Sequence, residues 1–206
     1  MEGRCVKAFL AAGLVVAAGC GGAIPKTRYY VMDLPSSLPR AQDPAPYTVA
    51  VMLLRAPEPL EQDRIVYRPS PVELDFYEYH RWAQRPAAMV TAALVDRLRT
   101  QNLFSSVAIF DGRAKADYFI RGRVDRLEEV DSGGVAARVE ISVELVDTKN
   151  SRTVWSGSGS HSSAVTVGEV KAVVTEISRG VDASLNQITA GLEQFVRSLP
   201  RPAGSS

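Results

Sequence analysis

The sequence is poor in the side chains that build disulfides and metal sites. Its 206 residues contain two cysteines and two histidines. Cys5 and Cys20 both lie within the first twenty residues, so no thiol remains further along the chain for a disulfide or a metal cluster. His80 and His161 have no helical pairing, which disfavours a zinc site. We therefore expect no metal or other cofactor and a fold stabilised by its packed core.

A hydrophobic run long enough to cross a bilayer is also lacking. The apolar stretch 8–18 has about half of the roughly twenty residues that a spanning helix needs, and glycines interrupt it at once. Arg4 and Lys7 precede the apolar residues 8–16 and Ala17-Ala18-Gly19 follows them, which is typical of a cleaved export signal over residues 1–19.

Cys20 is the candidate lipidation site at the end of this signal. Small residues stand before it, and Gly21-Gly22 after it leave the thiol accessible. Ala17 stands at the lipobox position where leucine is more common. The alternative is an ordinary secretory signal that has a cysteine near its cleavage site. We expect a lipidated tether over residues 20–27, with no inner-membrane retention signal after the cysteine.

The chain has no excess of either charge. Removal of residues 1–19 takes out Arg4, Lys7 and Glu2 and leaves equal numbers of basic and acidic side chains. Without a net positive charge, or a basic stripe interleaved with aromatic residues, nothing indicates a nucleic-acid partner.

The motifs of the common hydrolases and nucleotide-binding proteins are missing as well. No Gly-x-Ser-x-Gly nucleophile elbow is present, and the nearest sequence, Ser156–Ser160, lies within a predicted strand. No Walker loop is available for a nucleotide phosphate. We expect no catalytic residue; a lipid-anchored hydrolase that uses His80 or His161 is the least favoured alternative.

The distribution of apolar residues predicts an α/β domain of α+β type over residues 28–199, followed by a disordered tail over 200–206. Strict alternation over 135–145, with strand patterns at 118–124 and 153–160, predicts an antiparallel three-stranded meander. Earlier strands are predicted at 28–34, 47–54, 64–68 and 72–79. They either join the meander in one mixed, largely antiparallel sheet or form a separate layer.

Two main helices are predicted to cover the sheet. Pro86 begins the first, whose apolar residues recur at helical spacing up to about Gln101. Thr166 and Glu169 have the spacing of a capping box before the second, which keeps an apolar stripe to Leu199. This helix either lies on the sheet as a core helix or projects its half beyond Gly180 towards a partner.

An aromatic and arginine-rich segment precedes the first helix. Tyr67, Tyr77, His80, Arg81 and Trp82 have a composition that is enriched in protein interfaces. The structural alternative is that the large rings fill the gap between the first helix and the sheet. Arg81 is suited to stacking or to pairing with a carboxylate.

Several of these sequences together resemble the ABC-type transport auxiliary lipoprotein family. The resemblance rests on the lipobox, Tyr29-Tyr-Val-Met-Asp-Leu-Pro35, Arg64-Ile-Val-Tyr67, and Tyr77-x-x-His-Arg-Trp-Ala83 before Pro86. It covers essentially the whole mature chain, in order, and implies an α/β domain that accompanies a permease, an ATPase and a mammalian-cell-entry (MCE) domain protein in lipid transport between bacterial membranes.

The resemblance implies a non-catalytic role. Cys20 would anchor the domain at the periplasmic face of the outer membrane, and the aromatic segment would dock the MCE protein or form the platform beneath the docking surface. The alternative from another class is a structural or assembly lipoprotein of an envelope secretion or polysaccharide machine.

Overall fold

The computed structural model describes residues 25–34, 40–131, 133–166 and 169–200. The expectations for the export signal, for Cys20 and for the tail beyond Pro200 lie outside these residues. Two helices, α1 (Pro86–Gln101) and α2 (Val170–Ser198), are described. The strands in these ranges are β1 (Arg28–Tyr30), β2 (Ala45–Val51), β3 (Arg64–Ser70), β4 (Glu73–Trp82), β5 (Phe104–Ile109), β6 (Tyr118–Val130), β7 (Ala136–Asp147) and β8 (Arg152–Ala164).

The predicted meander is confirmed as β6, β7 and β8. β6 pairs with β7 from Tyr118↔Asp147 to Val130↔Ala136, and β7 pairs with β8 along its whole length. Gly133 and Gly134 have positive φ angles in the first turn, where glycine avoids the steric cost of a side chain. The alternating apolar residues of β7 face the core, because successive side chains of a strand point to opposite faces.

β6 connects the meander to the earlier strands, which join it in one mixed eight-stranded sheet. Its edge opposite β7 accommodates two shorter strands one after the other. β2 pairs in parallel with residues 118–120, and β3 pairs in parallel with residues 128–130. β5 extends the sheet beyond β2, and β4 and β1 extend it beyond β3. The prediction of a mixed, largely antiparallel sheet is confirmed, since most paired residues belong to antiparallel ladders.

Both helices lie on one face of the sheet and contact each other where the buried Arg97 of α1 donates hydrogen bonds to Asp182 and Asn186 of α2. The apolar stripe of α2 is buried along its full length, so α2 is a core helix in its distal half as well. Its buried apolar residues are Val173, Val174, Ile177, Val181, Leu185, Ile188, Leu192 and Val196. Within the described ranges, neither helix combines the length and the apolar content that a bilayer crossing requires.

α2 approaches β8 at a position where only a glycine fits. A Cβ atom on Gly159 would lie 2.1 Å from the backbone oxygen of Ser184. A Cβ atom on Gly180 would lie 2.7 Å from Cγ2 of Val139. The absence of side chains on both elements therefore sets the distance between the helix and the meander.

The opposite face of the meander carries polar and charged side chains. Arg126 bonds Glu128 at 2.9 Å and Glu140 at 3.2 Å, and Arg68 bonds Glu128 at 2.8 Å. The Arg126–Glu140 pair is exposed on both sides and contributes about 0–1 kcal/mol, whereas the Glu128 carboxylate is buried between its two arginines. These pairs make this face hydrophilic, in agreement with a sheet covered on one side.

Two local predictions were wrong, and one strand was not predicted. The capping box is absent, because Glu169 is itself the N-cap residue and makes no side-chain capping hydrogen bond. The backbone of Val165 bonds Val135 and holds the preceding chain in the sheet. β1 ends at Tyr30 instead of Leu34, and β5 has no counterpart among the predicted strands.

Candidate partner-binding surface

β3, β4 and β1 bring the aromatic residues together at one side of the sheet. The rings of Tyr67 and Tyr77 lie 5.0 Å apart, and Tyr77 meets His80 edge-on at 5.7 Å. Tyr30 of β1 stacks on His80, also at 5.7 Å. We call Tyr30, Tyr67, Tyr77 and His80 the aromatic cluster. All four side chains are half-buried, so each ring presents part of its surface to solvent.

Hydrogen bonds fix the rings of the aromatic cluster. The Tyr77 hydroxyl donates to Oε2 of Glu129 at 2.7 Å, and the Tyr67 hydroxyl donates to Oδ2 of Asp75 at 3.0 Å. The Tyr30 hydroxyl bonds Nδ1 of His80 at 2.8 Å. Because each of these side chains has a defined partner, less conformational entropy remains to be lost when a partner protein binds.

Burial shifts the pKa values of three groups in and beside the cluster. It raises the pKa of Tyr77, and the hydrogen bond to Glu129 adds to the effect. Burial also raises the pKa of Glu129, against the opposing effect of the Tyr77 hydrogen bond. The pKa of His80 is lowered by burial and by the positive charge of Arg28. These shifts favour the uncharged forms of Tyr77, Glu129 and His80.

Arg81 and Trp82 have different positions although they are adjacent in the chain. Nη1 of Arg81 bonds Oδ1 of Asp63 at 2.8 Å, and about a third of the arginine side chain is exposed. Trp82 is 1% exposed, and its backbone N–H donates to the Asp63 carbonyl at 2.6 Å. Trp82 is thus part of the hydrophobic core, whereas Arg81 lies opposite Arg64 of β3 and remains partly accessible.

Sequence reasoning missed the acidic partners and Tyr30. Glu129 is only 6% exposed, and it comes from β6, distant in sequence from the residues that it supports. The sequence signal that could have indicated them is the pair of adjacent carboxylates, Glu128 and Glu129, at the end of a strand pattern. Charged residues are seldom buried without partners, so such a pair predicts bonded neighbours. Tyr30 belongs to the sequence Tyr29–Pro35 on which the family resemblance rests, but the sequence analysis assigned it no role.

The residues considered for catalysis or zinc binding are not brought together. His80 lies on β4 and His161 on β8, which are separated in the sheet by β3, β6 and β7. Within the part of the chain that the structure describes, no group of three or more histidine, cysteine, aspartate or glutamate side chains is placed to hold a metal ion.

The family model of the ABC-type transport auxiliary lipoprotein component matches residues 30–189. The match spans the complete sheet apart from the first residues of β1, and it includes every residue of the aromatic cluster. The chain belongs to this family. The resemblance inferred from the sequence is thereby confirmed, and the auxiliary lipoprotein is associated with a transport system and with the cell envelope through its family.

Solved structures share the fold of this auxiliary lipoprotein. Protein XCC0632 from Xanthomonas campestris is 21% identical, with a TM-score of 0.73 over 83% of this chain and 97% of that chain. An uncharacterized protein is 15% identical, with a TM-score of 0.62 over 84% and 99% of the two chains. The hypothetical protein CT253 from Chlamydia trachomatis is 11% identical, with a TM-score of 0.51 over 75% and 100%. No curated protein matches the auxiliary lipoprotein.

Proposed function

We propose that this auxiliary lipoprotein is a non-catalytic subunit of an MCE-linked lipid transport system. Lipidated Cys20 anchors the domain at the periplasmic face of the outer membrane. The domain docks the MCE protein, and through it the permease and the ATPase, so that lipid passes between the MCE protein and the bilayer. Family membership supports the transport association, and the sequence around Cys20 supports the anchor.

The aromatic cluster with Arg81 is the observation that carries the docking role. Tyrosine and arginine are enriched at the centres of protein interfaces, where they bury a large area at a low cost in conformational entropy. Here the rings are partly exposed and oriented by hydrogen bonds. Tyr67 and Arg81 are the residues we expect to contact the MCE protein directly.

The position of the surface suits a partner that approaches the membrane. Arg28, the first residue of β1, follows Cys20 by eight residues and pairs with His80. An extended chain of this length reaches roughly 28 Å. A lipid on Cys20 would therefore keep Arg28 within about 28 Å of the bilayer surface, with the aromatic cluster beginning at the neighbouring strand.

Affinity purification from crosslinked envelopes tests the docking role. The tagged wild type is compared with the double variant Tyr67→Ala, Arg81→Ala. The control is Tyr79→Ala, which removes a tyrosine of β4 that lies outside the cluster. We expect the wild type and Tyr79→Ala to recover the MCE protein and the double variant to lose it. Cys20→Ser should release the protein from the membrane fraction.

Two results would contradict the proposal at different levels. Equal recovery of the MCE protein by the folded double variant would exclude the aromatic cluster and Arg81 as the docking surface. Recovery of an envelope secretion or polysaccharide machine in place of an MCE protein would reject the transport role and favour a structural or assembly lipoprotein.

A further inference from the structure

β8 forms a long edge of the sheet. Its residues Arg152–Ala164 pair with β7 on one side, and no strand in the described ranges pairs with the other side. Exposed edges of this length are usually protected by lysine, proline or a covering element, because their free N–H and C=O groups can pair with another chain. From Thr153 to Ala164 the sequence contains neither lysine, proline nor any acidic residue.

The edge is occupied at one position by a side chain of α2. The Ser160 N–H donates to Oε1 of Gln187 at 3.1 Å, and Nε2 of Gln187 donates to the Ser160 carbonyl at 3.2 Å. A carboxamide that accepts from one main-chain N–H and donates to the same residue's C=O makes the bonds that a neighbouring strand would make. The carboxamide of Gln187 therefore occupies the place of a peptide group. A ligand that makes the same two hydrogen bonds is the backbone of another polypeptide.

The orientation of Ser160 fixes that of its neighbours. Because N–H and C=O groups alternate between the two sides of a strand, Ser158 and Ser162 also direct theirs away from β7. Their side chains are exposed on the uncovered face of the sheet. Three consecutive outward-directed residues thus offer a continuous set of main-chain donors and acceptors, of which Gln187 uses one pair.

The surroundings of the edge define what an added strand would contact. On α2, Ala183 lies one turn before Gln187, and nearer the start of the helix Glu176 accepts a hydrogen bond from the Ser163 hydroxyl of β8 and pairs with Arg179. Side chains of an added strand that point towards α2 would lie near Ala183, and those that point to the other face would lie beside the serines. Because Glu176 is already paired and the edge around Ser158 and Ser160 carries no charged side chain, this part of the edge suits an uncharged segment in which apolar and polar residues alternate.

We propose that the free edge of β8 binds an extended, uncharged segment of a partner protein as a ninth strand, and that Gln187 is displaced when the segment binds. This inference is independent of the aromatic cluster and of the identity of the docked protein. The partner is recognised by its backbone, and the alternation of its side chains gives the register.

A synthetic peptide tests the proposal with the purified full chain. The probe is a nine-residue peptide of alternating threonine and valine, blocked at both ends and labelled with a fluorophore, and binding is measured by fluorescence anisotropy. Gln187→Ala removes the competing carboxamide and should bind the probe about tenfold more tightly than the wild type, as expected for one to two net hydrogen bonds.

Substitutions at Ser158 provide the matched pair. Ser158→Pro removes an outward N–H without removing a bond to β7, and edge positions of this kind tolerate proline. Ser158→Thr keeps the N–H and the strand preference. We expect Ser158→Pro to abolish probe binding and Ser158→Thr to retain it, with both variants folded by circular dichroism.

Three outcomes would overturn the proposal. The first is that neither the wild type nor Gln187→Ala binds the probe. The second is that folded Ser158→Pro and Ser158→Thr bind it equally. The third is that Gln187→Ala forms a dimer in sedimentation experiments that excess probe does not dissociate, because the edge would then pair with a second copy of the chain.

Discussion

Replacement of Gly159 by alanine tests the closest contact between α2 and the sheet. The added methyl group would lie 2.1 Å from the Ser184 carbonyl oxygen and 2.6 Å from its carbon. Both atoms belong to the helix backbone, so no side-chain rotation can relieve the overlap. The helix must move away from β8, which loosens the packing of its apolar stripe.

The magnitude follows from the kind of atom that is displaced. Overpacking a core typically costs about 1–3 kcal/mol, and a collision with backbone belongs at the upper end. For a domain of this size, 1 kcal/mol corresponds to about 2–4 °C in Tm. Gly159→Ala should therefore lower Tm by roughly 6–12 °C in thermal unfolding followed by far-ultraviolet circular dichroism.

Two other glycines near the same interface provide controls. A Cβ on Gly191 of α2 would lie 3.4 Å from Cζ2 of Trp155, an ordinary contact. Alanine is favoured over glycine in a helix interior by about 1 kcal/mol, so Gly191→Ala should leave Tm unchanged or raise it. A Cβ on Gly157 would meet the Trp155 ring at 2.4 Å, and this half-exposed side chain can rotate, which predicts a smaller loss than at Gly159.

The result that refutes this reasoning is a wild-type Tm for Gly159→Ala. It would mean that α2 and β8 are further apart than the structure has them. A large loss at Gly191 would also contradict it, because the cost would then follow from any substitution along the interface and not from the backbone contact.

Three further substitutions test polar contacts. Arg97→Met removes the guanidinium between the helices and should lower the free energy of unfolding in urea by about 2–3 kcal/mol, less than for a fully buried pair because Asp182 is 21% exposed. Glu129→Gln keeps an oxygen for the Tyr77 hydroxyl and removes a carboxyl whose pKa is raised by burial. The free energy of unfolding of the wild type should fall as pH rises from the pKa of this carboxyl in the unfolded chain to its higher pKa in the folded protein. Denaturation measured at a series of pH values should show no such decrease for the variant. Asp117→Asn removes a carboxylate whose pKa is lowered by a backbone hydrogen bond from Thr48. Its stabilisation is present above the unfolded pKa and lost as pH falls through the folded pKa, so the variant should be less stable at neutral pH and equal to the wild type at strongly acidic pH.

Each of these predictions has a distinct contradicting result. Unchanged stability of Arg97→Met would show that the helices do not depend on their polar contact. A pH profile of Glu129→Gln that is parallel to the wild type would assign the titration to another group. A constant difference between Asp117→Asn and the wild type at every pH would indicate lost packing and not a lost charge.

Local periodicity was sufficient to predict the meander and both helices. The alternation in β7 is strict, because one face of the strand packs against α2 and the other faces water. The apolar stripe of α2 continues along the helix, and its apolar residues are buried from Val173 to Val196. These patterns record contacts along a single element, which a sequence displays directly.

Elements whose stability depends on distant partners could not be found in the same way. β5 contains two adjacent serines and no clear alternation, and it is held by its pairing with β2. The position of β2 and β3 along one edge of β6 depends on the length of β6, which no local pattern reveals. In the candidate surface, Tyr67, Tyr77 and His80 could be selected by composition. The support from Glu129 and the burial of Trp82 required the register of four strands.

The pairing of β1 with β4 has a mechanical consequence. β1 is the first element after the predicted tether, and three residue pairs, from Arg28↔His80 to Tyr30↔Trp82, hold it to the domain. Tension applied at the N-terminus along the strand loads these pairs together in shear, and the stacked rings of Tyr30 and His80 bear part of the same force. A pull on the anchor would thus be transmitted to the aromatic cluster before it reached any other part of the domain, so that tether tension and the shape of the candidate surface are coupled.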